Sequence, residues 1–337
     1  MMRILIVGGT SFVGRAIAWS AVNAGHEVTV FNRGQTPNDL PDQVTRLVGD
    51  RDSNLAALAG TSFDVTVDAI AYRPHGVAAL RDALGDRGGH HIQISSVSAY
   101  EDPTEEGATE DTAHLHPEAT FDATTPVTGE TYGPLKAACE RAAREHFGER
   151  LTIVRPTYVI GSYDATLRFP YWTQRLQRGG DVAVPGPRGN AFQFIDARDL
   201  GDFVMTLAAN ATTGAFHVAN PFPAVRFIEA LEQISGQISP QGTNLVEVPY
   251  EQIARHHLDG RFPLWSGAKN EPALAVDPAR AVAAGLRCRP LSDSVDDVIA
   301  WWGDRDGPSW WLTREQEAML VHTGPPRGPS RGPGPGR

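Results

Sequence analysis

Tyr132 and Lys136 are the residues of this chain whose types and spacing most plainly admit chemistry. They stand four apart, which on a helix places both side chains on one face. A phenol beside an ammonium is an acid/base pair. An unperturbed phenol titrates near about pH 10, and a neighbouring positive charge favours the phenolate. Bringing it to about 7 takes roughly 3 units, or about 4 kcal/mol. Such a phenol can give a proton to a carbonyl oxygen while hydride reaches the carbonyl carbon. The run Ser95-Ser96-Val97-Ser98 offers hydroxyls to orient and polarise the same carbonyl.

Parallel strands must position these groups. Hydroxyls at the carboxyl end of a parallel strand lie where open α/β sheets bind ligands. His90–Ile94 reads as the fifth strand of such a sheet, after runs at Ile4–Val7, Val28–Phe31, Val44–Val48 and Val65–Ile70. Leu151–Val154 reads as the sixth. The first run is continuously apolar, as a strand buried on both faces should be. Gly8, Gly9, Thr10, Ser11, Phe12, Val13 and Gly14 follow it, then a helix-compatible run from Ala16 to Ala24 stopped by Gly25. Glycines between strand and helix let the backbone approach a dinucleotide pyrophosphate, and the helix N-terminus presents free N–H groups to it. The expected fold is α/β: a Rossmann-type doubly wound parallel sheet with a smaller C-terminal α/β substrate domain. Pro134 requires the helix carrying Tyr132 to begin only just before it. Thr313 and Gln316 resemble a capping box opening a last helix to about Val321.

The second strand ends in Asn32-Arg33, where dinucleotide folds meet the adenosine ribose. An acid there would select NAD. Its absence and the adjacent arginine favour NADP(H), with NAD(H) the alternative. Arg15 is a second candidate for the 2′-phosphate. Residues 101–128, rich in Thr, Glu, Asp and Pro, should cover the site. His90 and His91 point to opposite faces of a strand, and His114 and His116 lack a third ligand, so no metal is expected. Tyr158, Phe169, Tyr171, Trp172, Phe192 and Phe194 read either as walls of an apolar cavity or as core.

The run from Val7 to Gly14 resembles the glycine motif of the short-chain dehydrogenase/reductase superfamily, with Ser11 where that motif usually has a glycine. A serine after the fifth strand followed by Tyr-x-x-x-Lys is similar to its catalytic pattern. The resemblance makes Tyr132 the acid/base, Lys136 its activator and Ser96 the orienting hydroxyl. Ser96 is chosen because it lies four before Tyr100, with Ser95 and Ser98 as fallbacks. The resemblance also implies that Asp50 meets the adenine, that Ala69 and Ala71 pass the cofactor ribose, and that Tyr132 and Lys136 contact the cofactor. Arg155 to Gly161, Phe192 to Leu200 and Val276 onward resemble the extended, epimerase/dehydratase-type branch, with Thr157, Tyr158 and Phe192 as substrate-facing candidates. Two departures bear on the substrate. Phe192 stands where nucleotide-sugar enzymes of this branch generally carry an arginine for phosphates, and Val97-Ser98 replaces the Asp-Glu of the sugar dehydratases.

At 337 residues, 41% hydrophobic and 21% charged, the composition is that of an ordinary globular protein. The expected boundaries are 1–161 with 192–219 for nucleotide binding, 162–191 with 220–322 for the substrate, and a disordered Gly/Pro/Arg tail at 323–337. No apolar run reaches a membrane span, and a cytoplasmic location is expected. The net charge of −10 argues against nucleic acid as a partner, including the RNA bound by some chloroplast relatives with a similar glycine turn. Cys139 and Cys288 form no framework. The expected partner is a small-molecule substrate, with a homodimer implied by the resemblance. Three functions are weighed: a reductase of a small carbonyl or enone, an epimerase of a sugar or polyol, and a non-catalytic nucleotide-binding protein.

Overall fold

Ile4, Leu5, Ile6 and Val7 are fully buried because the strand they form lies mid-sheet with helices on both faces. The computed structural model describes residues 1–101, 105–186, 190–265, 267 and 275–321. The central sheet takes β1 (Arg3–Val7), β2 (Glu27–Asn32), β3 (Thr45–Val48), β4 (Val65–Asp68), β5 (His90–Ile94) and β6 (Leu151–Pro156). Next come the short β7 (Tyr158–Ile160), β8 (Asp181–Pro185), β9 (Ala191–Phe192) and β10 (Phe194–Asp196). Then β11 (Gly214–Val218) returns to the central sheet, before β12 (Val225–Arg226) and β13 (Asn244–Val248). The sheet order is β11-β6-β5-β4-β1-β2-β3, and every pairing is parallel. This is the doubly wound Rossmann-type sheet, with its reversal of order beside β1. The remaining strands form two-stranded ladders: β7 with β10, β9 with β12 and β8 with β13.

The helices are α1 (Phe12–Asn23), α2 (Pro74–Leu84), α3 (Gly129–Phe147), α4 (Arg168–Gln177) and α5 (Ala197–Ala209). They continue with α6 (Phe227–Ile238), α7 (Tyr250–Arg255), α8 (Ala279–Ala283), α9 (Leu291–Trp302) and α10 (Arg314–Val321). Alternation along β1 divides the core. Ile4 and Ile6 pack with residues of α1 and α5, whereas Leu5 and Val7 pack with Leu80 and Leu84 of α2. A second core gathers Phe169, Trp172, Phe192, Phe227, Trp302 and Trp311 among the short ladders and α4, α6 and α9. Thr313 and Gln316 exchange the two bonds of a capping box at the start of α10.

Four sequence expectations change. β4 ends at Asp68, because the Ile70 N–H turns back to the Asp68 carboxylate at 3.2 Å. α3 begins at Gly129, not just before Pro134, and holds Pro134 in its interior. Thr128 and Thr131 cap it reciprocally, which secures the first turn against the bond that proline removes. The sequence suggests a helical run to Ala209 only after Asp199, but α5 begins at Ala197, with Asp196 accepting from the Arg198 N–H at 2.8 Å. β11 was not anticipated, since its apolar run is broken by the buried His217. The expected tail at 323–337 lies outside the described residues, among which no helix is long and apolar enough to cross a membrane.

Candidate active site

The turn after β1 is shaped by close approach. A Cβ at Gly14 would come within 2.1 Å of the Gly8 carbonyl oxygen, and one at Gly8 within 2.5 Å of Ile70. Gly8 also sits at φ +89, open to glycine at little cost. Ser11 can replace a glycine because its own backbone is extended (φ −135) and it serves as the N-cap of α1. The positive φ falls instead on Phe12, at 36. No acid occupies the first turn of α1, so its free N–H groups face the groove with their favourable field for an anion intact.

Two cavities open along the carboxyl ends of the strands and share Gly8, Ser11, Ile70 and Tyr72. The first, of about 340 Å³, is lined by Thr10, Asn32, Arg33, Asp50, Arg51 and Arg73 among others. Asn32 accepts from the Gly34 N–H at 2.7 Å. Arg33 is exposed and makes no ion pair among the described residues. Asp50 binds the Asp52 N–H at 2.9 Å and keeps its place on the wall. Arg15 does not reach this cavity. Its guanidinium is held by Asp39 at 2.7 Å and lies 3.5 Å from the centre of the Tyr163 ring. That pairing holds the Asp39 carboxyl down to about 2.

The second cavity, of about 580 Å³, brings together Ser96, Tyr132, Lys136, Thr157 and Tyr158, with Phe12, Val13, Gly14 and Ala69 also in its wall. The structure separates the three serines. Ser95 is committed, its hydroxyl donating to Glu140 at 2.6 Å. The same carboxylate is gripped by Arg155 at 2.8 and 2.6 Å, which holds it well below the usual range despite burial. Ser96 instead lies beside the Tyr132 phenol, its oxygen accepting from the Ser98 N–H at 3.1 Å. Lys136 is buried and donates to the Ile94 carbonyl at 3.0 Å.

The expected depression of the Tyr132 phenol by Lys136 is not what this geometry produces. Burial pushes the phenol up, with the Ser96 hydroxyl and the Arg168 charge pulling the other way. Burial likewise lowers Lys136. The Lys136 ammonium is 5.7 Å from the centre of the Tyr132 ring but only 4.6 Å from that of Tyr72. Sequence reasoning missed Tyr72, which lines both cavities and stands 6.4 Å from Tyr132, ring to ring. Its signal was available, since it follows the fourth strand as Ser96 follows the fifth.

Other candidates lie elsewhere. Ala71 is turned into the core under α2 and α3 with Val77 and Cys139. Gly9 is buried against Val30 and lines neither cavity. Phe192 is packed between Phe194 and Phe227 in the second core, with Phe169, Tyr171 and Trp172. Of the six aromatics considered for a cavity, only Tyr158 lines this one. The described part of 101–128 does not line it either. It runs against Ala275, Asp277 and Arg141 instead. His91 stacks on Phe147 at 3.7 Å and His90 bonds Thr152. Among the described residues no group of side chains is arranged to hold a metal.

The model of the NAD dependent epimerase/dehydratase family matches residues 4–219. The chain belongs to this family. It is thereby placed in the short-chain dehydrogenase/reductase superfamily. As an epimerase/dehydratase-family member it is 25% identical, over 224 residues, to the chloroplast stem-loop binding protein of 41 kDa b of Arabidopsis thaliana. That match covers 62% of this chain, and the chain spans about half (55%) of that relative's length. In fold it is similar to the Bordetella bronchiseptica enzyme WbmG in complex with NAD and UDP, at TM-score 0.65 and 17% identity over 89% of this chain and 94% of that one. It is also similar to UDP-N-acetylglucosamine 4-epimerase from Bacillus cereus, at TM-score 0.59 and 19% identity over 74% and 86%.

Proposed function

We propose that this family member is a nicotinamide-dependent oxidoreductase that reversibly reduces a small carbonyl compound or enone, with Ser96, Tyr132 and Lys136 as its catalytic set. One observation carries the reading. Those three side chains line one cavity, and that cavity runs on into the glycine-turn cavity through Gly8, Ser11, Ile70 and Tyr72. The groove suits a dinucleotide. Gly8 and Gly14 permit close backbone approach, the α1 N-terminus favours an anion, and Asn32 and Arg33 stand at the adenosine end.

The groove from Asn32 and Arg33 past Gly8 and Gly14 would hold a nicotinamide dinucleotide, whose reduced form would supply hydride for the carbonyl carbon. Tyr132, its phenol pushed up from the ordinary value by burial, gives its proton to the carbonyl oxygen. Ser96 orients that oxygen. Lys136 sits beneath, held by Ile94 and 5.7 Å from the centre of the Tyr132 ring, at the floor of the same cavity, and a solvent proton restores the phenol. Arg33, which makes no ion pair among the described residues, and the neutral Asn32 in place of an acid favour NADP(H) over NAD(H). A carbonyl panel with NADPH tests the reading. Reduction should be seen, and Tyr132→Phe should abolish it with cofactor affinity kept.

The family match favours a second reading, an NAD-dependent epimerase in which the cofactor is oxidised and re-reduced within one turnover. Net consumption of free cofactor belongs to the first reading alone. Burial of Phe192, where related nucleotide-sugar enzymes carry a phosphate-binding arginine, weighs toward the reductase.

A further inference from the structure

The catalytic cavity contains a second cation that the reaction does not use. Arg168, the first residue of α4, lines it beside Thr157, Tyr158 and Thr166. Its Nε donates to the Thr166 hydroxyl at 2.9 Å, and its guanidinium is 5.5 Å from the centre of the Tyr158 ring. Among the described residues it makes no ion pair, and both terminal nitrogens are without a protein partner. No carboxylate lines the cavity, and Lys136 is already bound to Ile94. A second, independent observation points to the same ligand. Thr157 is only 7% exposed and lines this cavity, and its hydroxyl, buried in the wall, has no hydrogen-bond partner among the described residues. A buried hydroxyl without a partner is destabilising unless something bonds it.

We propose that Arg168 and Thr157 form a carboxylate subsite, so that the substrate is an oxo acid, or the corresponding hydroxy acid, held beside Tyr132. The proposal rests on the reading of Tyr132 as proton donor, since it places the reacting carbonyl near the carboxylate. The two terminal nitrogens of a guanidinium form a planar fork that matches the two oxygens of a carboxylate. A diphosphate carries more charge than one such fork balances. The position available for a further arginine is Phe192, which is buried among aromatic rings. The Arg168 charge already reaches the Tyr132 phenol, so a carboxylate neutralising it would leave that phenol a weaker acid. The pH dependence of turnover should therefore differ between acid and neutral substrates.

The test is a binding titration that does not depend on turnover. Linear, branched and aromatic oxo acids, their neutral amides, and UDP are titrated calorimetrically into wild type, Arg168→Ala, Arg168→Lys and Thr157→Val, with and without NADPH. At least one oxo acid should bind about tenfold or more tightly than its amide. That advantage should vanish in Arg168→Ala, persist in part in Arg168→Lys and weaken in Thr157→Val, with NADPH affinity equal in all four. Binding of no oxo acid above its amide, or binding unchanged in Arg168→Ala, overturns the subsite. Arg168-dependent binding of UDP alone also overturns it and assigns the site to a diphosphate. Failure of the catalytic reading shows separately, as Tyr132→Phe retaining turnover while the oxo acid titration stands.

Discussion

The two ends of the molecule fill their interiors differently. Around the central sheet, ionised and polar side chains are buried in number: Asp68, His91, Gln93, Lys136 and Glu140 are all nearly inaccessible. Several keep atoms without partners, among them Asp68 Oδ2 and two nitrogens of Arg51. Around the short ladders the bulk of the interior is aromatic, with Phe192 packed edge-on to Phe227 and Trp302 beside Trp311, and buried carboxylates such as Asp196 and Glu317 are held by Arg198 and Arg175. The first region holds chemistry because its groups sit at the ends of strands whose register fixes them. The second closes the cavity without adding reactive groups, apart from Arg168 and Tyr158 at its edge.

The largest expected effect would break this contrast at its aromatic end. Phe192→Ala should cost about 3–5 kcal/mol of stability, read as a lower denaturant midpoint. Turnover of the remaining folded protein should be unchanged. A large rise in KM without loss of stability would put Phe192 back in the substrate site.

Acid should act on the sheet region. Burial lowers His91 from the ordinary value to about 4, so the folded state holds this ring neutral where the unfolded chain binds a proton. The contribution of this ring to stability is therefore full above about pH 6.5 and declines as pH falls toward 4, by about 3 kcal/mol in all. Denaturant titrations across this window, with His91→Leu as the flattened control, check it. A wild-type profile no steeper than that of the variant would contradict it.

Tyr132→Phe should lower turnover by more than about a hundredfold and leave the dissociation constant of the cofactor nearly unchanged. Retained activity would remove Tyr132 from the mechanism. Smallest is the effect at the adenosine end, where Arg33→Ala should weaken NADPH by about tenfold while leaving NADH alone. Equal losses for both would show that Arg33 does not read the 2′-phosphate.

The same contrast explains what could be read from sequence. The strands β1 to β6 were legible because each is a short stretch carrying β-branched or other apolar residues, bounded by turn residues. The cavity positions of Gly8, Ser11, Asn32, Asp50, Ser96, Tyr132 and Lys136 follow from such strand ends and from one helical turn. Pairing partners were less legible. Nothing in the spacing shows that Arg15 belongs to Asp39, that Ser95 belongs to Glu140, or that Ile94 takes the Lys136 amine. The aromatic residues from Phe169 to Phe194 could be wall or core on composition alone. The choice was made by tertiary closure among two-stranded ladders whose partners are far apart in sequence, such as β9 with β12. Arg168 was overlooked because α4 begins after a left-handed residue, Leu167, with no cap signature to announce it.

The central claim, that the groove from Gly8 to Tyr132 is a nicotinamide dinucleotide site, is tested most directly by titrating the purified protein with NADPH and NADH and following fluorescence. Both cofactors should bind in competition, NADPH more tightly, with the difference removed in Arg33→Ala. Binding of neither would contradict the account.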